Sequence, residues 1–156
     1  MQNAHPFRRS HGFTLIELLI VMAIIGTMVA VAIPIFHSSV RKANEAAAVS
    51  TLNTIKLAQA KYAIDHDNQY GTFRELFDEG YLDKRFNSDQ PHVKGYVFTL
   101  TLTPKSENHA ATYAANADPE QSDGMTATGR NFYYLDPANG ICFSKKGRAT
   151  SSDDNL

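Results

Sequence analysis

The sequence predicts an α+β fold: a long N-terminal helix, kinked near Pro34, packed on a small antiparallel sheet of about four strands. Three observations carry this. Apolar and helix-favouring residues continue from Phe13 to about Asp65, some 53 residues. The period then changes from helical to alternating at Tyr96–Thr103. Further strand-like runs, separated by turn residues, fill the remainder. Helices followed by strands, without alternation between them, is the order of an α+β chain.

The first half of the helix has membrane length. From Leu18 to Phe36 there is no charged side chain, and the only interruptions are Gly26, Thr27 and Pro34. Residues 13–36 number 24, about 36 Å of helix at roughly 1.5 Å per residue, enough to cross a bilayer core of about 30 Å. One carboxylate, Glu17, falls inside this stretch. An ionised carboxylate there costs on the order of 2.5–3.5 kcal/mol, so something must offset it. Glu17 is therefore a candidate functional residue.

Helical composition resumes at once after Pro34, which predicts a kink instead of an end. Ala48, Leu52, Ile55, Tyr62 and Ala63 then fall on one stripe, with Gln59 its one polar member. Leu57 and Ile64, with Ala46 and Ala60, form a second stripe that fits either a broad core face or contact with other chains. Asp65-His66-Asp67-Asn68-Gln69 opens like a calcium loop. Tyr70 and Leu76 occupy the positions that need Gly and Glu, so it reads as a helix exit. Thr72-Phe73-Arg74-Glu75 is a capping box opening a short helix, closed by Gly80, after which Tyr81 and Leu82 pack back. Strands are predicted at Tyr96–Thr103, at Ala111–Ala115 with an end near Asp118-Pro119, and in a hairpin of Asn131–Leu135 and Ile141–Phe143. Ser151–Leu156 is a polar tail expected to fray.

The junction Gly12-Phe13-Thr14-Leu15-Ile16-Glu17, with Arg8 and Arg9 upstream, resembles the prepilin signal of type IV pilins and of the pseudopilins of type II secretion. That resemblance covers Gly12 to Gly26 closely and the rest only in general layout. It implies a leader of residues 1–12, cleavage after Gly12 by a prepilin peptidase, methylation of the new N-terminal Phe13, and Glu17 as fifth residue of the mature chain. Glu17 and Pro34 are then the assembly residues of the helix. Residues 13–36 form the membrane and filament-core half, 37–150 a pilin-like globular domain including the second half of the helix, and 151–156 a flexible tail. A secretory signal exiting at Ala30-Val31-Ala32 is a rival, but its apolar core runs only 7–15 residues and an acidic residue near its start is unusual. A plain anchor oriented by Arg8 and Arg9 predicts the same topology and leaves Glu17 unexplained. Arg8-Arg9 lacks the neighbours of a twin-arginine signal.

The chain has 15 basic and 16 acidic residues. Loss of Arg8 and Arg9 leaves 13 against 16, a balance that argues against a basic face for nucleic acid, and none is expected as a partner. Cys142, the single cysteine, cannot form an internal disulfide. It reads as a buried thiol or as an intermolecular pairing site. The histidines (His5, His11, His37, His66, His92, His109) lack metal-ligand spacing, and Asp153-Asp154 reads as a solvated tail. No metal, cofactor or catalytic residue is expected, and the chain does not read as an enzyme. The expectation is a type IV pilus subunit, stored in the inner membrane by a single pass and then polymerised with itself into an extracellular fibre. Its partners would be the peptidase/N-methyltransferase, the inner-membrane pilus or secretion assembly machinery, and lipid before assembly. The major pseudopilin of a type II secretion system is the alternative within the family; a membrane-anchored binding or sensor domain is the alternative outside it.

Overall fold

A computed structural model describes residues 12–156. The leader through His11, with Arg8, Arg9 and His5, lies outside the described residues. The described chain divides between Phe36 and His37 into two compact units.

Helix α1 spans Leu15–Asp65, 51 residues, with Pro34 inside it. Pro34 removes one amide donor and leaves the carbonyl of Ala30 without its helical partner, yet the helix continues. In the second unit the buried face of α1 is Ala48, Thr51, Leu52, Ile55, Ala58, Gln59 and Tyr62. That is the predicted stripe widened by Thr51 and Ala58, with Ala63 only half-buried at its margin. The exit of α1 uses Asp67 and Asn68 in the left-handed region, at φ 51° and 58°. Both are side chains that tolerate it.

Helix α2, Phe73–Asp78, begins at the predicted capping box. Gly80 follows at φ 81°, so the chain turns there without a Cβ penalty. The amides of Tyr81 and Leu82 both donate to the Leu76 carbonyl, at 2.8 and 2.9 Å, which brings both side chains back onto the core. A single 3-10 turn, Lys84–Phe86, buries Phe86.

The sheet has six strands: β1 His92–Val93, β2 Tyr96–Thr103, β3 Thr112–Pro119, β4 Phe132–Asp136, β5 Gly140–Ser144 and β6 Asp154–Asn155. All neighbours are antiparallel in chain order. The four predicted strands are β2 to β5. The other two correct the expected count, and β6 pairs part of the C-terminal segment with β5. Cys142 pairs with Asn155 and Phe143 with Asp154, while the Leu156 amide donates to Ile141 at 2.9 Å. Two-residue strands cannot display a period, which is why β1 and β6 escape pattern reading.

Two large residues of β2 face alanines of β3, and a third faces a tyrosine. Phe98 faces Ala117, Leu100 faces Ala115, and Leu102 faces Tyr113. The short alanines leave room for α1 and α2 to lie on this face, and one apolar cluster joins Leu52, Ile55, Leu76, Phe86, Tyr96, Phe98 and Leu135. That is the α+β layout of a helix packed on an antiparallel sheet.

Gln59 is the polar member of that core, and it is fully buried. Its amide donates to the Gly71 carbonyl at 2.7 Å and its oxygen accepts from the Gly71 amide at 3.0 Å. The pair ties the end of α1 to the loop before α2. A side chain at Gly71 would press on the Tyr62 ring, 3.0 Å away. Gln59→Leu keeps the volume but strands both backbone groups of Gly71. We expect a loss of about 2–3 kcal/mol in chemical denaturation, within the penalty range for orphaned buried polar groups. Wild-type stability in that variant would contradict the clasp.

Candidate assembly site

The N-terminal site is assembled by the first turn of α1. Thr14 precedes the helix, and its hydroxyl oxygen accepts from the Glu17 amide at 3.3 Å. Oε2 of Glu17 accepts in return from the Thr14 amide at 2.9 Å and from the Thr14 hydroxyl at 2.7 Å. This is a capping box, the same device that opens α2, where Glu75 accepts from the Thr72 amide at 2.7 Å. Thr14-Leu15-Ile16-Glu17 repeats the spacing of Thr72-Phe73-Arg74-Glu75. The signal is present in the sequence but overshadowed by the membrane-length segment it opens.

The Glu17 carboxylate therefore has a local partner in the chain as translated. The nitrogen of Phe13 is a peptide nitrogen while Gly12 precedes it, so no free amine is available at that position in this chain. The Gly12–Phe13 bond lies ahead of the helix, and both residues are exposed.

Every residue from Gly12 to Phe36 is exposed. The helix is long and apolar enough to cross a membrane, and none of its most apolar window is buried. Thr27, the hydroxyl in this stretch, donates to the Ile24 carbonyl at 2.7 Å, so it brings no unsatisfied donor into an apolar setting. Such a surface exceeds what a soluble chain leaves uncovered and requires lipid or protein around it.

Farther along α1, Leu57 is 64% exposed and Ile64 81%, and Ala46 and Ala60 are exposed beside them. The second stripe is thus an outward face and no part of the core.

The remaining candidates have local roles. His66 stacks on Tyr62 at 3.8 Å and lies 3.3 Å from Glu79, and His92 lies 2.7 Å from Glu120. Asp153 accepts from the Thr150 amide and hydroxyl at 2.7 and 3.0 Å, which closes a turn where a solvated carboxylate was expected. Among the described residues, no group of three His, Cys, Asp or Glu is arranged to hold a metal. Cys142 is buried on β5, its Sγ 3.0 Å from Asn155, and burial pushes its thiol up from the ordinary range. That is the setting of an inert thiol. Asp118 is held above the usual carboxylate range by burial, against the opposing pull of Arg148 at 3.3 Å.

Comparison with known proteins finds a family model on this N-terminal segment and relatives over longer stretches. The model of the prokaryotic N-terminal methylation motif matches residues 7–33. The competence protein ComGC of Halalkalibacterium halodurans is 39% identical over 82 residues, half of this chain and 76% of that protein. The type IV wide pilus major component PilA4 of Thermus thermophilus is 43% identical over 61 residues, 39% of this chain and 47% of that protein. The type II secretion system core protein G of Aeromonas hydrophila is 32% identical over 100 residues, 62% of this chain and 68% of that protein. No solved structure matches the chain significantly.

Proposed function

Because this chain belongs to the family of type IV pilins and related pseudopilins, we propose that it is the structural subunit of a type IV pilus-like extracellular filament. The observation that carries this is the exposed apolar segment of residues 13–36, helical from Leu15 and headed by an accessible Gly12–Phe13 bond and a lone carboxylate. A peptidase removes residues 1–12 and methylates the amine of Phe13. Before assembly the helix is covered by acyl chains; in the fibre the same surface is covered by neighbouring helices. Lipid tails are as apolar as the side chains they replace, so transfer between the two settings carries little hydrophobic cost. Pro34 lets the helix bend between its lipid half and its globular half. The exposed Leu57 and Ile64 add contacts farther along the fibre.

One observation favours a second reading. The match to the secretion system core protein extends over 100 residues, well past the apolar helix. The chain would then be the major subunit of a secretion pseudopilus, with the same cleavage and packing. Sheared surface fibres that contain the chain favour the pilus; dependence of protein export on it, without surface fibres, favours the pseudopilus.

The decisive test of either is the mature terminus. Intact-mass and N-terminal sequencing of assembled material should give a chain that starts at Phe13 and carries one methyl group on its amine. A mature chain that starts at Met1, or at Ile33 after the Ala30-Val31-Ala32 exit, would overturn both readings.

A further inference from the structure

Within the second unit, an open cleft of about 550 Å³ is lined from α1 by Ser38, Arg41, Lys42 and Glu45, and from the sheet side by Arg130, Lys145 and Lys146 among others. Five of its lining residues are cationic and two, Glu45 and Asp123, are acidic. The whole chain, by contrast, has a net charge of −1. None of the five cations joins an ion pair among the described residues. Glu45 does not neutralise them freely. Its Oε1 accepts from the Arg130 amide at 2.9 Å and its Oε2 from the Asn131 side chain at 3.4 Å. Asn44 donates to the Thr128 carbonyl at 2.9 Å. These three bonds fix the Arg130 segment against α1, so the cationic groups converge on a built wall.

We propose that this cleft binds the phosphate of an anionic phospholipid headgroup while the subunit waits in the membrane. Guanidinium and ammonium groups around a concave space are the donors that phosphate oxygens require. Position along α1 selects the source of the phosphate. Ser38 follows the last residue of the charge-free segment by two positions and Arg41 by five, about 3 and 8 Å of helix rise. The polar layer of a bilayer extends roughly 5–8 Å beyond each face of its hydrocarbon core, so these residues fall at headgroup depth. The cleft has the size of a single headgroup, and Phe132 is the one aromatic residue among those lining it, too few for a stacking platform along nucleotide bases. Headgroup contact would hold the globular unit at the membrane surface, and filament entry would require its release.

The inference rests on the membrane-stored precursor proposed above, and the test separates the two. Full chain is offered to phosphatidylcholine nanodiscs, and full chain in uncharged detergent micelles is titrated with dihexanoylphosphatidylglycerol. Dihexanoylphosphatidylcholine, inorganic phosphate and a short oligothymidylate are titrated in parallel, with the amides of Arg41, Arg130 and Lys145 as the readout. Phosphatidylglycerol should bind and phosphatidylcholine should not. Lys145→Gln with Lys146→Gln should weaken phosphatidylglycerol binding roughly 30-fold, as expected for two lost surface cations. Lys56→Gln with Lys61→Gln, outside the cleft, should leave it unchanged. Equal binding of inorganic phosphate, tighter binding of oligothymidylate, or phosphatidylglycerol binding indifferent to the Lys145/Lys146 change would each overturn the lipid site. A chain that fails to enter the nanodiscs overturns the stored-precursor reading as well.

Discussion

Glu17→Ala and Glu17→Gln are both expected to be inserted and cleaved normally, and both to fail to form fibres as the sole subunit. The proposal behind this is that Glu17 pairs with the amine of Phe13 on a neighbouring subunit. Either ion alone in a dry fibre core costs several kcal/mol, and the pair recovers that cost only when both meet at the correct axial height. The carboxylate thus acts as a register check, while the apolar helix supplies non-directional attraction. The capping box gives the rival explanation a concrete form. Glu17 accepts from the Thr14 amide and hydroxyl, so its loss also frays the start of α1. Loss of a cap costs about 1 kcal/mol, too little to abolish assembly. The two explanations part at glutamine, which still satisfies a capping box but carries no charge. Normal fibre yield from pure Glu17→Gln chain, with failure only for Glu17→Ala, would make Glu17 a capping residue and nothing more. Mixing either variant with wild-type subunits should restore part of the yield, since each faulty contact then has sound neighbours.

The sequence carried the long helix, α2 and its box, and β2 to β5, because each is long enough to show a period or carries its own stop signal. Tyr96–Thr103 alternates over eight residues, and Pro104 ends it. Strands β1 and β6 have two residues each, and only their partners Val97 and Cys142 reveal them. Periodicity also left the Leu57 and Ile64 stripe open between core and outward face, because a helix pattern shows which residues share a side and not what covers that side. Exposure of both settles it. The basic cleft is a different kind of blindness. Arg41 and Lys42 are about 100 residues from Lys145 and Lys146, and the near balance of total charge conceals their convergence. Long-range pairing by Glu45 and Asn44 creates it. Gln59 was visible as an anomaly in an apolar stripe, and its explanation required knowing that Gly71 returns to face it.

Gly129→Ala should be the most damaging single methyl in the globular unit, although nothing in the local sequence marks this glycine. Gly129 is buried, and a Cβ there would lie 2.6 Å from Cζ and 2.8 Å from Cε2 of Tyr96, closer still to the phenol oxygen. Tyr96 cannot retreat easily. Its side chain is fully buried at the start of β2, it packs near the Tyr133 ring, and its hydroxyl donates to the Asn131 carbonyl at 2.8 Å. Overpacking a core by one such group costs roughly 1–3 kcal/mol, and displacing the phenol adds about 1 kcal/mol for the hydrogen bond. For a unit of this size the sum corresponds to a fall in Tm on the order of 10 °C. The φ of Gly129 lies outside the left-handed region, so the loss is steric and not conformational. Gly147→Ala is the matching control, since its added Cβ meets nothing within 4 Å. That variant should change Tm little or raise it, because alanine also narrows the unfolded ensemble. Thermal unfolding of the full chain in uncharged detergent, followed by circular dichroism, measures both. Equal Tm values for the two variants would mean that Tyr96 does not pack over Gly129.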